Sequence, residues 1–435
     1  MDATTTEILS LVREEDVKFI RLAYCDLYGI QKNMAIMASQ LPRAFAQGIP
    51  FDASAAAGFS TPEHTDLFLV PDGSTVSILP WRPVHERVMR MMCDIKNPDG
   101  TDFSDYTRNL LKTAIARAAA CGYIVNVSTE CEFYLFKTDA AGEPTMTPHD
   151  RGGFDDIAPL DKGENIRREI CLALEEMGLR PECSHHERGP GQHEVDFRYA
   201  DALSAADNFI TFKMAVKAIA AQNGLFASFM PKPLADCDGN GLHINLSLSQ
   251  GGRNLFRRGD SHSPVAESFI AGILSRAADM TALLNPIPNS YSRLGRFDAP
   301  RYVTWSYQNR AQLIRIPPSD DDHVRMELCS ADAAVNPYLA FALLIHAGLD
   351  GIENGETLAP PCCRDLTTGG DSGIERLPET LDAALDRLEK SEFIRRVVPA
   401  SLLGRFLADK REECRQTARA ADPHAHALAR YFEAL

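Results

Sequence analysis

Apolar residues recur along most of the chain at helical or strand spacing, and the two kinds of segment alternate. One helical segment carries Leu110, Leu111, Ala114, Ile115 and Ala118 and ends at Gly122, before an apolar run over 123–136 that favours a strand. The same succession recurs around Gly178 and around 223–224. Alternating helices and strands of this length predict a layered α/β or α+β domain.

The first hundred residues have a different pattern. Short β-type runs lie within 17–36 and 66–80, separated by Gly, Pro and Asp. Residues 95–106 are polar and rich in Asp, which indicates a linker. The pattern therefore predicts two units, 1–105 and 106–435, with a mainly helical end over 376–435.

Composition narrows the class of protein. The net charge is −15 and the pI is about 5.3, whereas a nucleic-acid-binding protein needs a basic surface. The longest apolar run, 339–349, is about half of what a bilayer span requires, so we interpret it as a buried helix. Eleven cysteines lack paired zinc-type spacing, and the chain opens on a mixed, charged segment. We therefore expect reduced thiols in the cytoplasm, without a nucleic-acid or membrane partner.

Four apolar strand segments place polar or charged groups on one face. Side chains at positions i and i+2 share a strand face, while the residues between them point away. The groups that share a face within their segment are Glu130 with Glu132, then His243 with Asn245 and Ser247, then Arg325 with Glu327 and Cys329; the fourth segment presents Arg315.

These faces indicate phosphoryl chemistry if they converge. One such strand by itself can be a half-exposed strand with a solvated face. Together, converging carboxylates would repel unless they were protonated or bound a cation. Glutamates with a single histidine suit Mg²⁺ or Mn²⁺, and nearby arginines suit phosphate oxygens. Metal ions and arginines around phosphate are typical of phosphoryl transfer.

A Gly/Pro loop adds two more acids. His185, His186 and Glu187 precede it, and Glu194 follows it. The two histidines can be metal ligands or hydrogen-bonded loop residues, and the pattern leaves both interpretations open.

Several short motifs resemble the glutamine synthetase family, type I. Beside the acid-bearing segments, they are Met-Pro-Lys-Pro at 230–233, Gly-Asn-Gly-Leu-His at 239–243, Asn-Ser-Tyr-Ser-Arg-Leu at 289–294, Asn-Arg at 309–310 and Ile-Arg-Ile-Pro at 314–317. They occur in the order and at the spacing of the family, from about Val17 to the C-terminus.

The resemblance implies an α+β fold, with a β-grasp domain over 1–105 and a catalytic domain over 106–435 built on a curved antiparallel sheet. It implies an ATP-dependent ligase that joins a carboxylate to ammonia or another amine through an acyl phosphate. ATP would be a co-substrate, with two or more Mg²⁺ or Mn²⁺ ions per site. The expected assembly is a homo-dodecamer with each site between two subunits.

The resemblance also implies roles for individual residues. One metal would be held by Glu132, Glu187 and Glu194, and the other by Glu130, His243 and Glu327. ATP would contact Tyr199, Asn245, Ser247, Arg315 and Arg325. The amino-acid substrate would contact Asp238, Gly239, Arg293 and the position of Cys329. Catalysis would involve Arg310, the flap acid Asp298 and, offered to a neighbouring subunit, Asp52.

The chain departs from the family pattern around the amino-acid pocket. Cys329 stands where the family has Arg, Asp238 where it has Asn, and Phe154 where it has Tyr, while Arg188 replaces a small apolar residue. Loss of one charge-assisted contact at Cys329 would cost about 1.5–3 kcal/mol. We therefore hypothesise retained nucleotide and metal chemistry with an altered substrate, either a different amine or a different acid, with glutamine formation itself as an alternative.

Two other classes compete. A catalytically weak family member acting as a binding or regulatory protein would explain Cys329 and Asp238, but not the six intact metal ligands. A metal hydrolase on an α/β barrel predicts acids at the ends of strands, whereas these acids lie within strands.

Overall fold

The computed structural model describes residues 3–59, 65–258, 261–297, 299–307, 309–319, 323–364, 366 and 373–435. Its first part is a six-stranded sheet in the order β2-β1-β6-β4-β3, with β5 paired to β6. Strands β1 and β6 are parallel, and the other neighbours are antiparallel. The elements of this part are α1 (Ala3–Glu14), β1 (Val17–Cys25), β2 (Gln31–Met37), α2 (Leu41–Gln47), β3 (Ile49–Asp52), β4 (Asp66–Pro71), β5 (Ser77–Ile78) and β6 (Arg87–Lys96).

The larger part contains an eleven-stranded sheet flanked by helices. Its strands are β7 (Ile124–Thr138), β8 (Pro144–Pro148), β9 (Pro181–His186), β10 (Gln192–Phe197), β11 (Ala200–Asp201), β12 (Leu225–Ser228), β13 (Leu242–Gln250), β14 (Arg253–Asn254), β17 (Trp305–Tyr307), β18 (Ile314–Ile316) and β19 (Met326–Leu328), while β15 (Arg257–Arg258) and β16 (Ser261–His262) form a separate ribbon. The helices are α3 (Thr107–Ala120), α4 (Glu164–Glu176), α5 (Ala202–Gln222), α6 (Pro264–Leu274), α7 (Ala277–Leu284), α8 (Pro337–Glu353), α9 (Leu381–Lys390), α10 (Glu392–Val397), α11 (Ala400–Arg419) and α12 (Pro423–Tyr431).

Strand β7 is the centre of the large sheet, whose main path runs β17-β18-β19-β13-β7-β10-β9. Its 15 residues alternate in burial over most of their length, so one face packs on helices and the other is left for polar groups. Neighbouring strands along this path pair antiparallel except β17 with β18. The predicted α+β class is confirmed.

Helix α8 is buried along most of its length and packs against α3 and α6. The apolar run over 339–349 lies within it, which confirms the interpretation as a buried helix. In the described parts of the chain, every helix is too short or too polar to cross a lipid bilayer.

Buried ionic contacts join the two parts. Arg108 is fully buried and binds Asp72 and Asp94 of the first part together with Asp207 of α5. The polar stretch over 95–106 is packed near its end, where Tyr106 is 1% exposed. Division of the chain at 105/106 stays a prediction, because each part contributes to a continuous contact region around Arg108.

Candidate active site

Strand register, rather than chain proximity, gathers the acid-bearing faces. Glu130 on β7 lies opposite His243 on β13, and Glu132 lies opposite Glu194 on β10. Farther along the sheet, Glu327 on β19 lies opposite Asn245 of β13 on one side and Arg315 of β18 on the other. Cross-strand partners have Cβ atoms about 5 Å apart, so these pairs place the side chains in contact.

One group of chelating side chains is centred on His243. Its Nδ1 lies 3.3 Å from Glu130 Oε2 and 3.2 Å from Glu327 Oε1. Arg315 donates to Glu327 Oε2 through Nε at 2.8 Å and Nη2 at 2.6 Å. The predicted set of Glu130, His243 and Glu327 is therefore adjacent in space, with one of the predicted arginines beside it.

A second group is centred on Glu194. Ligand atoms of Glu194, Glu187 and His185 lie within 4.8 Å of one another, as do those of Glu194, Glu130 and Asp196. Glu132 is held nearby, because its Oε2 accepts from Gly241 N at 2.8 Å and Gln192 Nε2 at 3.0 Å. Glu194, a member of one predicted metal set, therefore also lies beside Glu130 of the other set.

The pKa values report crowded negative charge. Burial and then the charge of Glu187 raise the pKa of Glu132. Burial and then the charge of Glu132 raise that of Glu194 well above its ordinary value. By contrast, burial would raise the pKa of Glu130, but the hydrogen bond and charge of His243 lower it to about 2. Burial would lower the pKa of His243, which Glu130 and then Glu327 raise to about 9.

Arg293 is 5% exposed at the edge of this region and is seated by backbone. It donates to the carbonyls of Ser330 at 3.0 Å and Cys329 at 3.3 Å. A Cβ at Gly241 would lie 2.5 Å from Arg293 Nη2, closer than side chains pack. Glycine at 241 therefore makes room for the arginine, which explains part of the 239–243 motif.

All these groups line one cavity of about 420 Å³. Predicted site residues on its wall are Glu130, Glu132, Glu187, Glu194, Asp238, Gly239, His243, Arg293, Arg310, Arg315, Glu327 and Cys329. Among the described lining residues, seven carboxylates face four arginines, so the acids outnumber the arginines by three. Carboxylate oxygens with one imidazole form a donor set that fits hard divalent cations, which would offset the excess.

Cys329 is almost fully buried in the cavity wall. Its Sγ lies 3.5 Å from Glu327 Oε1, and burial followed by the charge of Glu327 raises the pKa of the thiol well above its ordinary value. The uncharged side chain therefore occupies the end of the acid-bearing face of β19, as the strand alternation predicts.

Some predicted residues lie outside the described cavity wall. Asn245 is buried beside it, donating to Glu130 Oε1 at 2.9 Å and accepting from Arg325 Nε at 3.0 Å. Ser247 continues the same face of β13, and Tyr199 is 60% exposed, with its ring centroid 6.4 Å from that of His323. Asp298, the predicted flap acid, lies outside the described residues; its chain neighbours Phe297 and Ala299 line the cavity.

Asp52 is in the first part of the chain and is exposed. It lies opposite Asp66 across β3 and β4, and its carboxylate accepts from Ser54 N at 3.0 Å and Ser54 Oγ at 2.6 Å. The Ser54 hydroxyl and then its backbone amide lower the pKa of Asp52. Its role toward a neighbouring subunit stays a prediction.

Sequence reasoning missed four lining residues: Gln192, Asp196, Phe297 and Ala299. Asp196 follows Glu194 by two positions, so strand alternation alone places both on one face. Gln192 precedes Glu194 by two positions on the same strand and so carries the same signal, and it donates to Glu132 Oε2 of the neighbouring strand. Phe297 stands in a loop, where periodicity gives no information.

Comparison with known proteins gives consistent results. The chain matches the model of the glutamine synthetase catalytic domain over residues 105–431 and that of the glutamine synthetase beta-grasp domain over 16–98. It is 44% identical to glutamine synthetase of Methanosarcina mazei over 419 residues, covering 94% of each chain. It is 44% identical to glutamine synthetase of Clostridium saccharobutylicum over 421 residues, covering 94% and 95%.

Solved structures are also similar. A GmaS/ADP complex superposes with a TM-score of 0.87 at 32% identity, covering 95% of this chain and 97% of the other. GmaS without ligand gives the same TM-score and identity, covering 98% and 100%.

Fold and site together define an ATP-dependent ligase that joins a carboxylate to an amine and so forms a carbon–nitrogen bond. More specifically, the chain belongs to the glutamine synthetase family, whose members use ATP and divalent metal ions.

Proposed function

We propose that this protein joins the side-chain carboxylate of glutamate to an amine other than ammonia, through an acyl phosphate. The observation that carries this is the single cavity in which Glu130, Glu132, Glu194, His243 and Glu327 meet Arg315. A carboxylate oxygen attacks the γ-phosphorus of ATP, the bond to the bridging oxygen breaks, and ADP leaves. The amine then displaces phosphate from the acyl carbon.

The chelating groups would hold two Mg²⁺ or Mn²⁺ ions, one at Glu130, His243 and Glu327 and the other at Glu132, Glu187 and Glu194. When bound, such ions neutralise phosphate charge and polarise the reacting oxygens. Asp196 and His185 extend the donor set, since their ligand atoms lie within 4.8 Å of those of Glu194.

Arginines would hold the remaining charge. Arg315, which donates to Glu327 Oε2 at 2.6 Å, would present its guanidinium to the phosphates, with Arg310 on the same wall and Arg325 behind Asn245. Tyr199, Asn245 and Ser247 would complete the nucleotide contacts. Arg293, Asp238 and Gly239 would position the amino acid.

The proton of the incoming ammonium group must reach a carboxylate before the nitrogen can attack. We assign this role to Asp298, with Asp52 of a neighbouring subunit beside the amine. The exposed position of Asp52, away from the cavity wall of its own chain, supports a site shared between subunits in a dodecamer. Light scattering of the purified protein tests the assembly.

The altered substrate rests on two side chains of the cavity wall. Cys329 supplies no positive charge beside Glu327, and Asp238 adds a negative one. Both changes reduce attraction for an anionic group and increase it for an ammonium group. A changed amine therefore fits the cavity better than a more acidic substrate does.

A direct test combines ATP, Mg²⁺, several acids and several amines, with ADP release and amide product measured by mass spectrometry. We expect an amide of glutamate with an alkylamine to form faster than glutamine, and Cys329→Arg to favour ammonia. Glutamine as the main product would establish the second candidate, glutamine synthesis, which the 44% identity to glutamine synthetases favours.

Nucleotide binding without turnover of any pair of acid and amine would instead identify a catalytically weak binding protein.

All eleven cysteines are free thiols, which supports a reducing, cytoplasmic location. Fractionation of cells with an antibody to the protein tests that location.

A further inference from the structure

Two exposed aromatic rings border the acidic cavity. Phe154 is 53% exposed and Phe297 is 50% exposed, and both line the same wall as Glu187 and Asp238. Large apolar side chains on a surface are costly to keep in water and commonly mark a place where an apolar group binds. Here the apolar rim is next to a strongly anionic interior.

Phe154 is fixed relative to the acids. Its ring meets that of His185 edge-on, with centroids 5.5 Å apart and planes at 62°. His185 Nδ1 lies 3.3 Å from Glu187 Oε1. The backbone beside Phe154 is tied down as well, since Asp155 N donates to His186 O at 3.1 Å. A phenyl ring at this place offers a face and an edge, but no hydroxyl to hydrogen-bond an ammonium ion.

Phe297 already binds an alkylammonium group of the protein itself. The Nζ of Lys232 lies 4.4 Å from the centroid of its ring, a cation–π distance. Lys232 is 1% exposed, and its backbone is held by Asn289 Oδ1, which accepts from Lys232 N at 2.7 Å. Phe297 nevertheless stays 50% exposed and lines the cavity. The backbone at Phe297 has φ of +49°, a conformation that costs energy and needs support from its surroundings.

From this arrangement we infer that the amine substrate is a primary amine carrying a short hydrocarbon chain, which packs between the rings of Phe154 and Phe297 while its nitrogen faces the carboxylates. The inference rests on the proposed ligase function. Ammonia has no carbon to bury, so an aromatic rim gains nothing from it. Each methylene buried between the rings would raise kcat/KM about fourfold.

The chemical step is balanced with the groups already named. The alkylammonium gives one proton to a carboxylate of the cavity wall. Its nitrogen lone pair then attacks the acyl carbon, the carbon–oxygen bond to phosphate breaks, and phosphate leaves with that electron pair. The product is an N-alkyl amide of glutamate, and the amide retains one hydrogen on nitrogen once the second proton has left to solvent.

The test measures kcat/KM for ammonia, methylamine, ethylamine, propylamine and butylamine with glutamate, ATP and Mg²⁺. We expect a rise of about fourfold per methylene up to the length that fills the rim. In Phe154→Ala we expect the ratio of kcat/KM for butylamine to kcat/KM for ammonia to fall about tenfold. Phe19→Ala is the matched control, because Phe19 is a 45% exposed phenylalanine on β1, outside the cavity wall.

Hydroxylamine separates the two ways of failing. It is a small, chain-free nucleophile that traps an acyl phosphate as a hydroxamate. If hydroxamate forms but kcat/KM stays constant or falls along the alkylamine series, the amine site between Phe154 and Phe297 is refuted and the ligase function is not. If neither hydroxamate nor ADP is released with any amine, the ligase function is refuted, and the amine site between Phe154 and Phe297 is refuted with it.

Discussion

Acids and histidines are gathered against both faces of the β9–β10 hairpin, but with opposite electrostatics. On the cavity face, His185 lies opposite Glu194, and Asp196 follows. On the other face, His186 lies opposite His193, within 4.8 Å of ligand atoms of Asp150 and Asp161. Residue types that bind metals are therefore present on both sides of one hairpin.

The cluster of His186, His193, Asp150 and Asp161, here called the rear group, is neutralised by another side chain of the protein. Arg167 binds Asp161 through Nη1 at 3.2 Å and Nη2 at 2.7 Å and donates to His193 Nδ1 at 2.8 Å. That bond leaves the proton of a neutral His193 on Nε2, so this nitrogen cannot be a metal ligand. Asp150 accepts from His186 Nε2 at 2.9 Å and from Gly191 N at 2.9 Å. The rear group fits a structural network and not a metal site.

The cavity face has no comparable internal balance. Its arginines are fewer than its carboxylates, and the pKa values of Glu132 and Glu194 are raised by burial and by neighbouring acids. In the rear group, burial would raise the pKa of Asp161, but the hydrogen bond and charge of Arg167 lower it. The difference teaches that the number of guanidinium groups relative to carboxylates decides whether a cluster of acids stabilises the fold or needs a cation.

Replacing an acid of the cavity face should have the largest effect on activity. We expect Glu194→Gln to reduce kcat/KM about a thousandfold, roughly 4 kcal/mol of transition-state stabilisation. The metal-free protein should unfold at the same or a higher temperature, since one repelling carboxylate is gone. Steady-state kinetics and calorimetry in a chelator measure both. Activity within threefold of the parent would contradict a ligand role.

The equivalent change in the rear group should affect stability instead. Asp161→Asn leaves Arg167 buried without its carboxylate and should lower the free energy of unfolding by about 3–5 kcal/mol. The double variant Asp161→Asn/Arg167→Met should recover part of that loss, because the unpaired charge is removed with its partner. Urea denaturation of the parent and the two variants is the measurement, and equal stability of all three proteins would refute the neutralisation of Asp161 by Arg167.

Magnesium should distinguish the two faces directly. At 100 times its dissociation constant, Mg²⁺ should stabilise the parent by about 2.7 kcal/mol. The gain should largely disappear in Glu194→Gln and persist in Arg167→Met, provided that this variant is folded. Thermal unfolding with and without EDTA is the measurement. If the stabilisation by Mg²⁺ were lost only in the Arg167 variant, the ion would bind at the rear group and not at the cavity face.

The smallest expected effect is a pair of opposite pH slopes. The raised pKa values of Glu132 and Glu194 mean that the metal-free folded state holds protons that the unfolded chain has lost, so their contribution falls as pH rises above 4.5. The lowered pKa of Asp161 contributes stability above 3.8 that is lost as pH falls through the folded value. Urea titrations from pH 3 to 8 should show the first slope become shallower in Glu194→Gln, whereas an unchanged slope there would exclude Glu194 as a source.

Much of the cavity face was predictable because strand alternation is local. Glu130 with Glu132, His243 with Asn245, and Arg325 with Glu327 follow from spacing alone, and the buried helix over 339–349 follows from its length. Resemblance to a family then supplied expected roles that spacing could not. Asp196 was missed although the same alternation indicates it.

Sequence by itself determined which residue types share a face on each strand, because the side-chain period of two needs no knowledge of neighbours. Only the tertiary structure decided which faces meet, because Glu130 and His243, or Arg315 and Glu327, are brought together by pairing between strands that lie apart in the chain. The tertiary structure also decided which acids are neutralised. Arg167 pairs with Asp161 in the rear group and does not reach the acids of the cavity face, which Phe154 and Phe297 border. Sequence spacing does not show these contacts, because the loops and helices that carry the residues meet the strands only in the folded chain.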